Sequence, residues 1–194
     1  MGDITTAYAN TMLDSMINGS YLGLLSAITD AKAGTVTEFN TTDSPGYTRA
    51  LPSWSAAANG EKTPSAEVVY PVAQSAWQVA VGVACYSALT AGTLRFAKAF
   101  VPIDVGACTT TNGSAVVTTT NNFNTSGIKA NMSVTGSGIP ADTYVVSVDS
   151  NTQVTLSANA TASAAVTLTF GAKVRVPAWH VVKLATSALK FSLT

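Results

Sequence analysis

The side chains able to do acid–base or nucleophilic chemistry are few and scattered. His180 is the single histidine of the chain and stands in VPAWHVVKL, between Trp179 and Val181. A catalytic triad would need a positioned nucleophile and a carboxylate beside it. The candidate carboxylates Asp104, Asp142 and Asp149 all lie in loop-like stretches, so His180 reads as a surface or strand-packing residue. The acidic residues are spread over turns and offer no favoured pair for glycoside cleavage, which needs two carboxylates flanking a cleft. GSGIP and GTLRF hold glycines, but neither has the GxxxxGK[ST] spacing that cradles phosphate. Structural zinc takes four Cys/His ligands, and only Cys85, Cys108 and His180 are present. Asp142, Asp149 and Asn151 in ADTYVVSVDSNTQ carry oxygens suited to calcium, without the bidentate glutamate of the usual loop; they read as solvated turn groups. Trp54, Trp77 and Trp179 have the faces to stack on sugars, yet each stands in or beside an apolar strand, so core or subunit packing is expected. The expectation is a protein that is not an enzyme, with no catalytic, metal-binding or cofactor-binding residues and no cofactor.

Composition points the same way. Charged residues make up 10% of the 194 residues, with ten basic and ten acidic side chains, against a usual share of about 25%. Phosphate neutralisation needs clustered Lys and Arg, so nucleic acid is not an expected partner, and neither is an anionic membrane surface. Little charge repulsion keeps copies apart, which favours association. Hydrophobic residues reach 47%, but no run of about 18 apolar residues implies a membrane-spanning helix. MGDITTAYAN has neither a basic n-region nor an apolar h-region and does not read as a secretory signal. Two cysteines far apart in such a chain read as free thiols; their pairing stays open.

The elements that must position these residues are mostly strands. DITTAYANTMLDSMI has apolar residues at Ile4, Ala7, Tyr8, Met12, Leu13, Met16 and Ile17, near the 3.6-residue period of a helix. Asp3 is placed as its N-cap and Asn18-Gly19 as its stop. SYLGLLSAI, TVTEF, YTRALPSWSAA, EVVYPVA, WQVAVGVACYS and TLRFAKAF read as strands separated by turn clusters. Pro71 in EVVYPVA marks an edge or a bulge, because proline cannot donate to a ladder. From Thr109 to Phe170 the chain turns to Thr/Asn/Ser/Gly-rich alternation, with about five strands: SAVVTTT, NMSVTG, TYVVSVD, TQVTLS and AAVTLTF. Large apolar and aromatic residues return in KVRVPAWHVVKL and ALKFSLT. The expected fold is mainly β: a jelly-roll-like β-sandwich (1–105 with 172–194) with a short N-terminal helix, and a small β domain (106–171) inserted into it.

At these blocks the chain resembles a family of tailed-bacteriophage virion proteins described as head-fibre-like or tail-fibre-like. The blocks come in order: YLGLLSA (Tyr21 to Ala27), PGYTRALPSW (Pro45 to Trp54), SAEVVYPVAQSAW (Ser65 to Trp77), VAVGVACYSALTAGTLRFAKAF (Val79 to Phe100) and WHVVKLATSALKFSLT (Trp179 to Thr194). The resemblance covers roughly 3–105 and 172–194. The insert is similar to a separate small β module common in phage and bacterial surface proteins.

The resemblance implies a non-enzymatic virion component made in the bacterial host cytoplasm. The expected role is a capsid decoration or head-fibre protein on the outer surface, docked to the major capsid protein and stabilising the shell by mass action. A homo-oligomer is expected, a trimer by analogy, with Ile4, Tyr8, Met12 and Met16 as subunit contacts. The alternative is a tail-fibre or tail-tip adhesin. Its insert would touch a host-surface glycan through the polar runs NNFNTSG and SANATASA and through stacking by Tyr144 or Phe123.

Overall fold

The computed structural model describes residues 4–124, 126–185 and 189–192. In chain order its elements are α1 (Thr6–Ile17), β1 (Tyr21–Asp30), β2 (Thr35–Glu38), β3 (Glu61–Lys62), β4 (Val68–Val72), β5 (Gly82–Tyr86), β6 (Leu94–Ala99), β7 (Ile103–Thr110), β8 (Val116–Thr119), β9 (Met132–Thr135), β10 (Val145–Ser150), β11 (Gln153–Leu156), β12 (Ala164–Val174), β13 (Val181–Leu184) and β14 (Phe191–Ser192). The fold is mainly β, as the alternating patterns predict. It divides into two units. The first comprises Met1–Gln78, Gly82–Lys98 and Val176–Thr194; the second comprises Val79–Val81 and Ala99–Arg175.

The first unit opens with α1. Thr5 caps it from an extended backbone, its hydroxyl accepting the Tyr8 N–H at 3.4 Å, which satisfies one of the helix's orphan donors. Asp3, the cap expected from sequence, lies outside the described residues. The helix stops at Asn18, whose N–H reaches Asp14 O, and Gly19 follows at φ +71°, a left-handed conformation that costs glycine nothing. Ala9, Leu13 and Ile17 recur every fourth residue and are buried. Burying Leu13 and Ile17 stabilises the docked helix by about 2 kcal/mol each.

The main sheet of this unit has the order β2-β1-β5-β6. Its centre is apolar without alternation: Leu22 to Leu25 on β1 and all of β5 are buried, the mark of strands covered on both faces. β1 and β5 pair antiparallel from Tyr21 opposite Tyr86 to Leu25 opposite Gly82. β4 pairs with β13, and β3 with β14, as two-stranded sheets. Pro71 sits in one of these small sheets, where proline is tolerated. YTRALPSWSAA, expected as a strand, forms only single bridges at Ala50 and Trp54, because its polar side chains are drawn into the contacts described below.

The second unit is one antiparallel sheet of order β10-β11-β8-β7-β12-β9. A bridge between Ser133 and Tyr144, with the Val134 N–H on Thr143 O at 2.9 Å, brings its two outer strands together, so the sheet nearly closes on itself. Closure removes exposed strand edges. The interior holds Val105, Cys108, Val117, Phe123, Ile128, Val134, Val145, Val154, Leu156, Leu168 and Phe170. Phe123 meets Phe170 edge-on at 5.7 Å. β7 and β12 run unbroken through positions 105/106 and 171/172, and their ladder joins Phe170 to Ile103.

Candidate functional site

In the first unit the one charged side chain of the PGYTR block, Arg49, turns inward. Arg49 grips Glu38 with two prongs, Nη2 to Oε2 at 2.6 Å and Nε to Oε1 at 2.8 Å. Its Nη1 donates to the carbonyls of Ala88 and Ala91, each at 2.6 Å. The guanidinium lies 3.6 Å from the centre of the Tyr86 ring, a cation–π contact. Tyr47 donates to Glu38 Oε1 at 2.9 Å and accepts the Leu24 N–H at 2.8 Å. Burial, with the Glu38 charge second, pushes the Tyr86 phenol up to about 12 and raises those of Tyr47 and Tyr70 further. A methyl on Gly23 would lie 2.5 Å from Glu38 Oε1, so only glycine lets the pair rest on β1. Every prong of Arg49 is thus engaged, and the cluster holds the 39–49 loop and the turn near Ala91 against the sheet.

A second inward charge ties α1 down. Lys62, fully buried on β3, donates to Asp14 of α1 and to the Ser55 carbonyl, the latter at 2.7 Å. Asp14 also accepts the Ala57 N–H, and Asn10 accepts the Gly60 N–H. The Lys62 hydrogen bond, then the Ala57 one, hold the Asp14 carboxyl below its ordinary range.

With Asn10 and Asp14 turned inward beside Ala9, Leu13 and Ile17, the expected contact residues separate. Ile4 (47% exposed) and Tyr8 (60% exposed) stand outward, while Met12 and Met16 are half-buried.

The most exposed large apolar side chain among the described residues of the unit is Trp179, for which core or subunit packing is expected from sequence. Trp179 is 77% exposed and has φ +62°. It is the third residue of a turn closed by the His180 N–H on Pro177 O at 3.3 Å, a position that favours Gly or Asn. Its own N–H donates to Ala73 O at 2.6 Å, fixing the turn beside β4. There the ladder slips: Val181 faces Val72 and Lys183 faces Val69, so β4 carries one residue more than β13. This bulge turns Val69 (51% exposed) and Val72 (48% exposed) to the same outer face. Lys183 and Glu67, paired at 3.2 Å, border it. The other two tryptophans pack inside: Trp77 is buried with its indole N–H on Pro45 O, and Trp54 meets Phe191 at 5.8 Å.

In the second unit a recess of about 290 Å3 lies at the seam where β9 approaches β10. Val79, Ser133, Asp142, Thr143, Tyr144, Lys173 and Arg175 line it. The Arg175 guanidinium lies 4.3 Å from the centre of the Tyr144 ring. Phe123, the other aromatic offered for stacking, is instead a fully buried core residue; a lone large apolar group in NNFNTSG plugs the interior because nothing polar can.

The calcium-type oxygens are not gathered. Asp149 accepts from Ser147 and Thr155, and Asn151 Oδ1 accepts from Asn124 at 2.6 Å. Among the described residues no three His, Cys, Asp or Glu stand close enough to share a metal. Cys85 and Cys108 are both buried and free. Asp104 accepts from Thr169 at 2.6 Å on the outer surface of the second unit.

A family model described as podophage GP4 fiber I protein gp80 matches residues 4–103, just over half of the chain. The chain belongs to this family. Membership makes it a phage fibre-type, virion-associated protein, in line with the expected resemblance. The match spans α1, the Glu38–Arg49 cluster and β1 to β6, and stops at the first residue of β7. No curated protein and no solved structure matches the chain.

Proposed function

We propose that this member of the podophage GP4 fiber I protein gp80 family is a non-enzymatic structural protein on the outer surface of the virion, most simply a capsid decoration or head-fibre protein. Copies associate with one another, as a trimer by analogy, and dock to the major capsid protein. The observation that carries the reading is Trp179: a large aromatic held outward on a strained turn tied to Ala73 at the end of β4, the strand on which Val69 and Val72 are also exposed. Exposed tryptophans surrounded by apolar neighbours act as anchors at interfaces, and a strained backbone persists where function requires it. Ile4 and Tyr8 on α1 supply a second outward apolar surface, with Met12 and Met16 at its margin. The charged groups of this unit work as clamps: Arg49 and Lys62 are spent on internal partners, which suits a rigid building block.

Immunogold labelling of intact virions with antibodies against this chain tests the location. Label spread over the head supports the decoration role; label confined to the tail overturns it. Light scattering on the purified chain tests association, which Trp179→Ala is expected to weaken.

A second reading, an adhesin touching the host surface, is favoured by the recess at Tyr144 and Arg175. Adsorption of phage carrying Arg175→Ala tests it; unchanged adsorption overturns it.

A further inference from the structure

We infer that the recess of the second unit is a binding site for a saccharide that carries a carboxylate. The inference deepens the adhesin reading and rests on it for its biological use, but the binding itself is a property of the chain.

The electrostatics come first. Lys129, Lys173 and Arg175 are the cations of this unit, and the structure brings them to one end of it. Lys173 and Arg175 flank Val174 at the close of β12, and the Arg175 N–H bonds Asn131 O at 2.9 Å, two residues after Lys129. Elsewhere in the chain four of the seven cations, Arg49, Lys62, Lys183 and Lys190, pair with a carboxylate within 4 Å. Among the described residues, Lys173 and Arg175 make no such pair, although Asp142 lines the same recess. Two unpaired cations beside a concave surface can accept an anionic group without first breaking an internal bond.

The shape and the remaining groups specify the anion. The Arg175 guanidinium lies over the Tyr144 ring, and its planar fork matches a carboxylate with two parallel hydrogen bonds. Ser133 Oγ accepts the Lys173 N–H at 3.0 Å, which leaves its hydroxyl proton to donate. Thr143, buried at the floor of the recess, donates to Pro140 O at 2.7 Å and fixes the loop that carries Asp142. Asp142 adds an acceptor. Donors beside an acceptor suit sugar hydroxyls, and Val79 with the edge of Tyr144 supplies an apolar wall for the ring. The Asp142 charge repels a dianion such as phosphate more strongly than the single charge of a carboxylate. A volume of about 290 Å3 lies at the lower end of small-molecule sites and suits one or two sugar rings.

Ligand-observed NMR on the full chain tests this, with galacturonate, galactose and inorganic phosphate as probes. Galacturonate is expected to bind saturably, galactose and phosphate at least about tenfold more weakly, since a hydrogen bond to a charged group is worth about a factor of ten or more. Arg175→Ala and Lys173→Ala, both at exposed positions, should each weaken galacturonate about tenfold while far-UV circular dichroism stays unchanged. Equal binding of galactose and galacturonate overturns the carboxylate assignment. Phosphate binding as tightly as galacturonate reduces the site to an anion contact and overturns the saccharide. Undiminished binding by both variants overturns the location. If galacturonate binds as expected while Arg175→Ala phage adsorb normally, the site stands and the adhesin reading falls.

Discussion

Glu38 and Arg49 face each other with two parallel hydrogen bonds of 2.8 and 2.6 Å, inside a cluster of tyrosines and backbone carbonyls. Their side chains keep only 19% and 9% of their exposure. Removing one partner of such a pair leaves the other charge poorly solvated, at a cost of about 3 kcal/mol. Arg49→Met is therefore expected to lower the stability of the first unit by about that amount. Arg49→Lys should lose much of it too, because an ammonium cannot bridge both carboxylate oxygens and the Ala88 and Ala91 carbonyls. Urea unfolding read by tryptophan fluorescence follows this unit, since Trp54, Trp77 and Trp179 all lie in it. An Arg49→Lys variant as stable as the parent would refute the bidentate role.

The Lys62–Asp14 pair gives a pH prediction with a definite sign. The folded-state carboxyl of Asp14 is held below its ordinary value. A depressed carboxyl contributes stability that is fully present above the unfolded pKa of about 4 and is lost as pH falls through the folded value. Stability of the first unit should then fall between about pH 5 and pH 2, and Asp14→Asn should flatten that part of the curve. At neutral pH Asp14→Asn should still be destabilising, because it leaves the Lys62 ammonium buried without its counter-charge. Lys62→Met in the same background should recover stability, as an apolar side chain of similar length needs no partner. Failure of the double variant to recover would show that Lys62 matters through the Ser55 carbonyl instead.

How far the sequence reveals these features depends on whether the signal is local. The helix shows its period and its Asn18-Gly19 stop, and Pro71 announces a small edge sheet; each follows from a few adjacent residues. Lys62 sits in NGEKTPSAE, which reads as a solvated loop, because the partner that buries it is 48 residues away in the helix. Tyr47 and Arg49 alternate as strand residues do, yet Glu38 and two distant carbonyls claim them. Trp179 shows the converse. Its neighbours Val181 and Val182 look like a strand, but Pro177 starts a turn that lifts the indole off the sheet. The recess pairs Tyr144 with Arg175 across 31 positions, and only closure of the sheet at Ser133 and Tyr144 makes them neighbours. β7 does not read as a strand in the sequence, because IDVGACTT mixes Gly and Thr with few large apolar groups. A deletion of 109–170, attractive from composition alone, would cut β7 and β12, so point variants are the sounder probes of the second unit.

Tyr47 and Tyr70 stack at 6.5 Å but should respond oppositely to loss of the hydroxyl. The Tyr47 hydroxyl bridges Leu24 and Glu38; the Tyr70 hydroxyl is buried with no hydrogen-bond partner among the described residues. An unsatisfied buried hydroxyl costs about 1 to 3 kcal/mol, whereas a made hydrogen bond contributes about 1 kcal/mol. Tyr47→Phe should therefore destabilise the first unit, and Tyr70→Phe should leave it unchanged or stabilise it by about 1 kcal/mol. Denaturant midpoints of the two variants decide the matter, and a loss of more than about 1 kcal/mol in Tyr70→Phe would mean that its hydroxyl has a partner after all.

Trp179 offers a variant in which stability and assembly move in opposite directions. A bulky residue at φ +62° stores about 1 kcal/mol or more of backbone strain, and glycine at that position releases it. Part of the gain is offset because glycine also loosens the unfolded chain. With the indole 77% exposed, little packing within the chain is lost. Trp179→Gly should then unfold at the same or a slightly higher denaturant concentration as an isolated chain. If the Val69–Val72–Trp179 face joins copies, the same variant should weaken association by about 2 kcal/mol or more, the usual loss for a tryptophan anchor, or about thirtyfold in the dissociation constant. Sedimentation equilibrium over a range of concentrations measures this directly. A variant that is destabilised yet associates normally would mean that the indole packs within its own chain, and the outer face of β4 would then have no claim to be a contact.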